Sequence, residues 1–259
     1  MSSPDKTTVI LIRGLFREKR HWGDFPDMLA NESGIDTVFS VEIPGNGELY
    51  KLKTPASVNG MVEAIRQQLA GEQSYVLVGL SMGGMIALQW AKNHPQEVQT
   101  AICINSSNAA FSAFYERLRP EKYLSIITAL LQKPAKRELN IMKLVSNHPV
   151  QHQKLENWIS YAQQFPTSPL NFVRQLWAAG RFKMENAPNC KLLFITSEND
   201  QLVNSKSQSA MARQWHAREI INQVGRPIVT GAEAIEYLDI PFWPPPPPKK
   251  KKTKKKKKQ

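Results

Sequence analysis

Apolar residues in this chain form short continuous runs, separated by longer stretches in which they recur every three or four positions. The short runs are rich in β-branched residues and end at Gly, Pro, Asn or Asp, as buried strands do. Strands are predicted at residues 8–12, 37–43, 75–79, 100–104 and 191–196, and helices at residues 56–69, 83–93 and 205–216. Strands that alternate with helices indicate a mostly parallel sheet with helices on both faces, which is a three-layer α/β fold.

The alternation is interrupted between residues 109 and 185. This segment has helical apolar spacing, several prolines and the aromatic residues Trp158, Phe165, Phe172 and Trp177, but no convincing strand. We interpret it as a helical cap inserted over the carboxyl edge of the sheet, where open α/β sheets bind ligands. Most of these aromatic side chains could equally fill a core. The predicted core domain is then residues 1–108 together with residues 186–240.

Residues 75–88 carry the chain's strongest chemical pattern. A strand-like run passes through Gly79-Leu80-Ser81-Met82-Gly83 directly into an apolar helix pattern. Such a sharp turn strains the backbone at Ser81 and leaves room only for glycine two residues before and after it. This arrangement is a nucleophile elbow, and it predicts an exposed serine hydroxyl at the sheet edge. The positive end of the following helix and the Met82 N–H would face a developing oxyanion.

The formal net charge of +12 depends on the last segment of the chain. Nine of the 34 basic residues are lysines at positions 249–252 and 254–258; without them 25 basic residues face 22 acidic ones, a net charge of +3. The folded part therefore gives no reason to expect a nucleic-acid partner. Residues 241–259, five prolines followed by lysines, are predicted to be disordered. This tail is either a polybasic tether for anionic surfaces or the product of homopolymeric nucleotide runs without an evolved role.

Two cysteines, Cys103 and Cys190, lie at the edges of apolar runs and are interpreted as buried free thiols in a reducing compartment. The first apolar run, residues 9–12, is too short for a signal-peptide core or a membrane span. The predicted location is the cytoplasm. No metal cluster, dinucleotide fingerprint or phosphate loop is present in the sequence, so no cofactor is expected.

With the elbow placed, the chain resembles the α/β-hydrolase family over residues 7–216, in particular short esterase-like members with a helical cap. Four motifs carry the resemblance: residues 11–15 after the first strand, residues 41–47 after the second, the elbow, and residues 197–203 after the last clear strand. The resemblance implies that Ser81 is the nucleophile and that Asp200 orients the catalytic imidazole. Asp200 could otherwise be a helix cap or a solvated turn acid. It also implies that the Leu15 N–H, and that of Phe16 as a further candidate, is the second oxyanion donor beside Met82.

The chain departs from the family pattern just before the loop glycine. Arg13 stands where the family commonly has histidine, and it would serve as a loop hydrogen-bond donor or bind an anionic substrate group. His21, a few residues further on, is predicted to be a substrate contact or a loop anchor. Together with Trp22, these residues are assigned to the substrate pocket.

The general base is missing from the expected place. A serine hydroxyl needs a positioned base, and on this fold the order is Ser, then Asp, then His. After Asp200 the only histidine is His216, which is predicted to be a surface residue at the end of a helix. Residues 219–222 predict a last strand, and Arg226 stands where the histidine belongs. Arginine cannot act as the base because it stays protonated.

These features predict a serine hydrolase that acts on a small carboxylic ester or thioester through an acyl-enzyme. The missing base keeps a second reading open, in which the chain is a catalytically impaired hydrolase-fold binding protein or a damaged gene copy. A third reading places the function in the lysine tail. The natural acyl group and the oligomeric state are not specified by the sequence.

Overall fold

The computed structural model describes residues 7–69, 74–117, 121, 128, 132–145, 152–197 and 205–222. In chain order the strands are β1 (Thr8–Ile12), β2 (Thr37–Val41), β3 (Tyr75–Leu80), β4 (Val98–Ile104), β5 (Lys191–Ser197) and β6 (Arg218–Asn222). The helices are α1 (Phe25–Ala30), α2 (Val58–Arg66), α3 (Met82–Asn93), α4 (Phe114–Arg117), α5 (Pro134–Val145), α6 (His152–Gln164), α7 (Pro169–Arg181) and α8 (Ser205–Gln214). Short 3₁₀ turns occur at Lys19–Trp22, Gly47–Leu49 and Pro95–Glu97.

The six strands form one sheet in the order β2-β1-β3-β4-β5-β6, and every neighbouring pair is parallel. All strands therefore end at one edge of the sheet, the carboxyl edge, and begin at the opposite amino edge. The five predicted strands and the predicted last strand are confirmed. Their ends differ by one or two residues, and β2 stops at Val41 because the chain turns at Pro44 and Gly45, which has φ 97°.

Apolar residues alternate along each strand and so form a core on either face of the sheet. On β1, Ile10 and Ile12 face the core covered by α2, α3 and α8, whereas Val9 and Leu11 face the core covered by α1. Burial of each large aliphatic side chain contributes about 1.5–3 kcal/mol. The two cores confirm the three-layer α/β architecture.

Helix α2 shows how the local sequence produces this packing. Ser57 caps it by accepting a hydrogen bond from the Gly60 N–H at 3.1 Å. Apolar side chains then fall at positions i, i+3, i+4 and i+7 and are all buried: Val58, Met61, Val62 and Ile65.

Helices α4 to α7 lie between β4 and β5, in the segment predicted to be a cap. Where the structure describes residues 109–185, it shows these helices and no strand. Their assignment as a helical cap stays a prediction. Residues 241–259, the predicted disordered tail, lie outside the described residues. No helix in the described part of the chain combines the length and apolar character needed to span a membrane.

Candidate active site

Ser81 forms the turn between β3 and α3 in a strained backbone conformation. Its φ of 57° and ψ of −116° fall outside the regions that L-residues ordinarily occupy. Three hydrogen bonds hold it there. The Ser81 N–H donates to the Ile104 carbonyl at 2.8 Å, and the Ser81 carbonyl accepts from the Gly84 N–H at 3.0 Å and from Ser106 Oγ at 2.9 Å. The strand-turn-helix geometry predicted for residues 75–88 is confirmed.

Glycines make this turn possible. A Cβ on Gly79 would collide with the carbonyl group of Gly83, and a Cβ on Gly83 would collide with the Ile12 carbonyl at the end of β1. Both positions flank Ser81 at a distance of two residues, as the sequence required. The turn is therefore packed against itself and against the neighbouring strand.

The loop after β1 lies directly against the turn. A Cβ on Gly14 would lie 2.8 Å from the Leu80 carbonyl oxygen and 3.1 Å from Ser81 Cβ, so only glycine permits this approach. The loop then reverses direction through a hydrogen bond from the Arg17 N–H to the Gly14 carbonyl at 3.3 Å. The residues between them, including Leu15, are consequently held beside the serine.

The two candidate oxyanion donors in this loop have different surroundings. Phe16 has a φ of 62°, and its N–H donates to Gln175 Oε1 on α7 at 2.9 Å. Within the described residues, no group accepts a hydrogen bond from the Leu15 N–H. The Met82 N–H is at the first position of α3, among the donors that a helix leaves without an intrahelical acceptor. The N–H groups of Leu15 and Met82 therefore remain candidate oxyanion donors, whereas the Phe16 N–H already donates to Gln175.

A buried polar layer ties the ends of β4 and β5 together beside Ser81. Asn105, with φ 46°, donates through Nδ2 to Ser197 Oγ at 3.1 Å and accepts from the Ser197 N–H at 2.8 Å. Gln208 accepts from the Ser106 N–H at 2.5 Å and donates to the Ile195 carbonyl at 2.8 Å. We did not identify this layer from the sequence. The run of polar residues 105–108, directly after a buried strand, was the available indication.

The predicted acid and the expected base position are not among the described residues. Asp200 follows the end of β5 by three residues, and Arg226 follows the end of β6 by four. Their roles therefore stay predictions.

Two of the histidines that the structure describes, His216 and His94, lie at the opposite edge of the sheet from Ser81. His216 is exposed and precedes β6, which places it at the amino edge, about 15 Å of strand length from the carboxyl edge. His94 is also near the amino edge, where its Nε2 lies 2.8 Å from Glu63 Oε1. His152 is exposed at the start of α6. The prediction that His216 is a surface residue is confirmed, and the parallel topology excludes it as the base.

His21 is at the carboxyl edge, but both of its ring nitrogens are engaged. Nε2 lies 3.1 Å from Arg17 Nη1, and Nδ1 lies 3.2 Å from both the N–H and the carbonyl of Glu18. The rings of Trp158 and Tyr161 pack beside it at 5.3 and 5.5 Å. Burial, together with the charge of Arg17, lowers the pKa of His21 well below its usual value. A neutral imidazole with both nitrogens occupied anchors the loop and is not available as a base.

Arg17 connects this loop to α5 by a buried ion pair. Its Nη1 lies 2.6 Å from Glu138 Oε2, and its guanidinium stacks 4.3 Å above the Trp158 ring. A narrow cleft of about 20 Å³, with room for about one water molecule, lies beside this pair and is bordered by His21 and Tyr161 among others.

The structure corrects one of the three pocket assignments. Trp22 is 1% exposed and stacks on Phe25 at 5.3 Å within the core beneath α1. The 3₁₀ turn Lys19–Trp22 directs this side chain inward, so it packs in the core and does not line a pocket.

Arg13 is also buried, and its guanidinium lies 4.8 Å above the Trp22 ring. Burial, and to a smaller extent repulsion from Arg17, lowers the pKa of Arg13 to about 9. Among the described residues, nothing accepts a hydrogen bond from its Nε or Nη1.

The cysteine prediction holds for Cys103, which is buried, and only in part for Cys190, which is half-buried; both are free thiols. Burial raises the pKa of both, that of Cys190 to about 11, so neither is a reactive thiolate at neutral pH.

A serine on a strained strand-to-helix turn, faced by a glycine loop above a parallel sheet, defines the hydrolase class of α/β proteins. The chain belongs to the α/β-hydrolase family, because the family profile for the alpha/beta hydrolase fold matches residues 7–229. Over 217 residues it is 27% identical to the pimeloyl-[acyl-carrier protein] methyl ester esterase of Yersinia enterocolitica, covering 78% of this chain and 81% of the relative.

Solved structures show the same fold at lower identity. The enol-lactonase from Burkholderia xenovorans LB400 matches with a TM-score of 0.71 and 13% identity, covering 90% of this chain and 88% of that one. The esterase from Exiguobacterium antarcticum matches with a TM-score of 0.69 and 15% identity, covering 91% and 88%. These likenesses support the fold.

Proposed function

We propose that the protein hydrolyses a small carboxylic ester or thioester through an acyl-enzyme on Ser81. The observation that carries this proposal is the strained conformation of Ser81, beside which Gly14 leaves no room for a side chain: a Cβ on Gly14 would lie 3.1 Å from Ser81 Cβ. Ester hydrolysis is favoured because the Yersinia relative is named a methyl ester esterase. A serine in this position argues against chemistry that needs a carboxylate nucleophile on the same fold.

The reaction proceeds in two steps. Ser81 Oγ attacks the carbonyl carbon, its proton passes to the base, and the tetrahedral oxyanion accepts hydrogen bonds from the N–H groups of Leu15 and Met82. Collapse of this intermediate releases the alcohol or thiol, which takes the proton. Water then attacks the acyl-enzyme, and the acid product leaves as Ser81 regains its proton. Asp200 would orient the base.

Substrate contacts are assigned to Arg13 and His21. The unpartnered N–H groups of Arg13 support a contact with an anionic substrate group. For His21, whose ring nitrogens are both engaged, any substrate contact would be through the ring edge at the cleft beside α6. The segment of residues 109–185 would act as the cap that reads the acyl group. Free thiols at Cys103 and Cys190 support a cytoplasmic location.

The test is covalent labelling with a fluorophosphonate probe, followed by intact mass. Fast labelling of the wild-type protein, lost in Ser81→Ala, is expected, since only an activated serine reacts quickly. Ser160→Ala is the matched control, because Ser160 is an exposed serine on α6. Equal labelling of wild type and Ser81→Ala would contradict the proposal.

A second candidate function is a binding protein on an impaired hydrolase scaffold. It is favoured by Arg226, which stands where the sequence predicts the triad histidine. In that case the wild-type protein is not labelled, and Arg226→His raises ester hydrolysis sharply, because the oxyanion hole alone leaves only about 10³–10⁴-fold catalysis over water. No gain in Arg226→His would mean that the base lies elsewhere.

A further inference from the structure

We propose that Gln175, on α7, is a positioning residue that sets the geometry of the oxyanion loop; this inference rests on the proposed function. Gln175 is fully buried, and its side chain is the partner of the Phe16 N–H. It lies 159 residues from Phe16 in the sequence and belongs to the segment predicted to be the cap. Helix α7 therefore contacts the loop that would stabilise the transition state.

A chain of side-chain amides fixes the orientation of Gln175. Its Oε1 accepts from the Phe16 N–H at 2.9 Å, and its Nε2 donates to Asn46 Oδ1 at 2.8 Å. Asn46 then donates through Nδ2 to the Arg17 carbonyl at 2.9 Å. Each amide can satisfy these partners in only one orientation. The backbone is consequently held on both sides of Phe16.

Phe16 needs this restraint because its φ of 62° is unfavourable for an L-residue with a bulky side chain. The same helix also holds the Phe16 ring, through an edge-on contact with Phe172 at 5.4 Å between ring centroids. Loss of the hydrogen bond would let the loop relax toward negative φ and would move the adjoining Leu15 peptide.

The hydrogen bond from the Phe16 N–H to Gln175 also determines which loop N–H is left to donate to the oxyanion. Because Gln175 takes that N–H, Leu15 is the loop residue left to face the oxyanion. Gln175 thus acts through Leu15, without touching the reacting atoms. It would stabilise the transition state more than the bound substrate, and its loss should therefore lower kcat more than it raises KM.

The experiment compares Gln175→Met with Asn171→Leu, two substitutions of similar shape on the same buried face of α7. Asn171 accepts from the Thr54 N–H at 3.0 Å and donates to the Leu52 carbonyl at 2.9 Å, so it docks the helix without touching residues 14–17. Both variants lose buried hydrogen bonds and should lose similar stability. We expect kcat for p-nitrophenyl butyrate to fall about 10–100-fold in Gln175→Met with KM nearly unchanged, and to fall less than about threefold in Asn171→Leu.

Two further measurements separate a positioning effect of Gln175 from a general loss of stability. Gln175→Glu retains the acceptor for the Phe16 N–H, and in its protonated form also the donor to Asn46, so it should recover most of kcat at low pH relative to wild type. Hydrogen exchange of the Phe16 amide should accelerate in Gln175→Met and not in Asn171→Leu, whether or not the protein is active.

The outcomes separate this inference from the proposed function. A wild-type protein without Ser81-dependent turnover overturns the proposed function. An unchanged hydrogen-exchange rate of the Phe16 amide in Gln175→Met shows that Gln175 does not restrain the loop. With an active wild type, equal kcat in Gln175→Met and Asn171→Leu overturns the positioning role.

Discussion

The two edges of the sheet are built by different means. At the carboxyl edge, three non-glycine residues with positive φ follow the ends of strands: Phe16, Ser81 and Asn105. Each is held by buried hydrogen bonds. At the amino edge, His216 also has a positive φ of 49°, but it is exposed in the turn that follows α8. The same edge carries a partly exposed ion pair between Arg66 and Glu97, and His94 pairs with Glu63.

This contrast shows where the fold stores strain. Unfavourable backbone conformations persist only where the surroundings restrain them from several sides, and such sites are commonly functional. Ion pairs at a solvated edge contribute little to stability, because water and salt screen them. The carboxyl edge is therefore the edge where single substitutions should have large effects.

The largest effect should come from Gly83→Ala. Its Cβ would collide with the Ile12 carbonyl, which is backbone and cannot move aside, so we expect a loss of at least about 4 kcal/mol or complete misfolding. Gly23→Ala is the matched control. Gly23, unlike Gly83, has a positive φ of 57°, but no atom lies within 4 Å of its Cβ position, so its cost should be that of backbone strain alone, about 1–3 kcal/mol. Thermal unfolding followed by circular dichroism measures both; similar losses would show that crowding at the turn is unimportant.

A second comparison sets one ion pair against the other. Arg17→Met leaves the Glu138 carboxylate, 1% exposed, without its closest cation and should cost about 3–5 kcal/mol. Arg66→Met removes a cation that is 31% exposed, and it should cost at most about 1 kcal/mol. Urea unfolding gives the two free energies. A larger loss in Arg66→Met would reverse the distinction between the edges.

The smallest expected effect is on the pH dependence of stability. Burial raises the pKa of Glu42, at the carboxyl edge, to about 8, so the folded state holds a proton that the unfolded state releases above about 4.5. Stability should therefore fall as pH rises from 4.5 to 8. Glu42→Gln should remove this slope and raise the free energy of unfolding at pH 8, on the order of 1–3 kcal/mol.

Glu63, near the amino edge, should behave in the opposite sense. Its hydrogen bond with His94 lowers the pKa of the Glu63 carboxyl, so its contribution is lost as pH falls through the folded-state pKa. Glu63→Gln should lower stability at pH 7 only slightly. Urea titrations from about pH 3 to about pH 8.5 check both variants, because the Glu63 contribution is lost only below pH 4.5. Parallel pH profiles for wild type and Glu42→Gln would refute the raised pKa of Glu42.

Most of the fold could be predicted because its strands, helices and sharp turn follow from patterns among residues that are close in the sequence. Buried parallel strands are short apolar runs, and the turn at Ser81 needs glycine at two fixed positions; both rules depend on neighbouring residues alone. The same reasoning placed Ser81 and Met82 together at one edge, and the resemblance to the α/β-hydrolase family added Leu15.

The rest depends on contacts between distant parts of the chain. Gln175 resembles any other polar helix residue in the sequence, and the role we propose for it follows only from the packing of α7 on the loop. Trp22 was assigned to the pocket because it follows the loop closely, but a single 3₁₀ turn reverses the direction of its side chain. The positive φ of Phe16 could not be foreseen, since nothing in the local sequence marks it.

The hydrogen bond between Phe16 and Gln175 also has a consequence for the order of assembly. A ribosome adds about 5–20 residues per second, so the loop is made roughly 10–30 s before the residue that holds it in place. Until α7 has been synthesised and has docked, the nascent chain carries a serine turn whose neighbouring loop is free to adopt ordinary backbone angles. On the proposed role of Gln175, competence for chemistry is acquired late in synthesis, once α7 has been made and has docked.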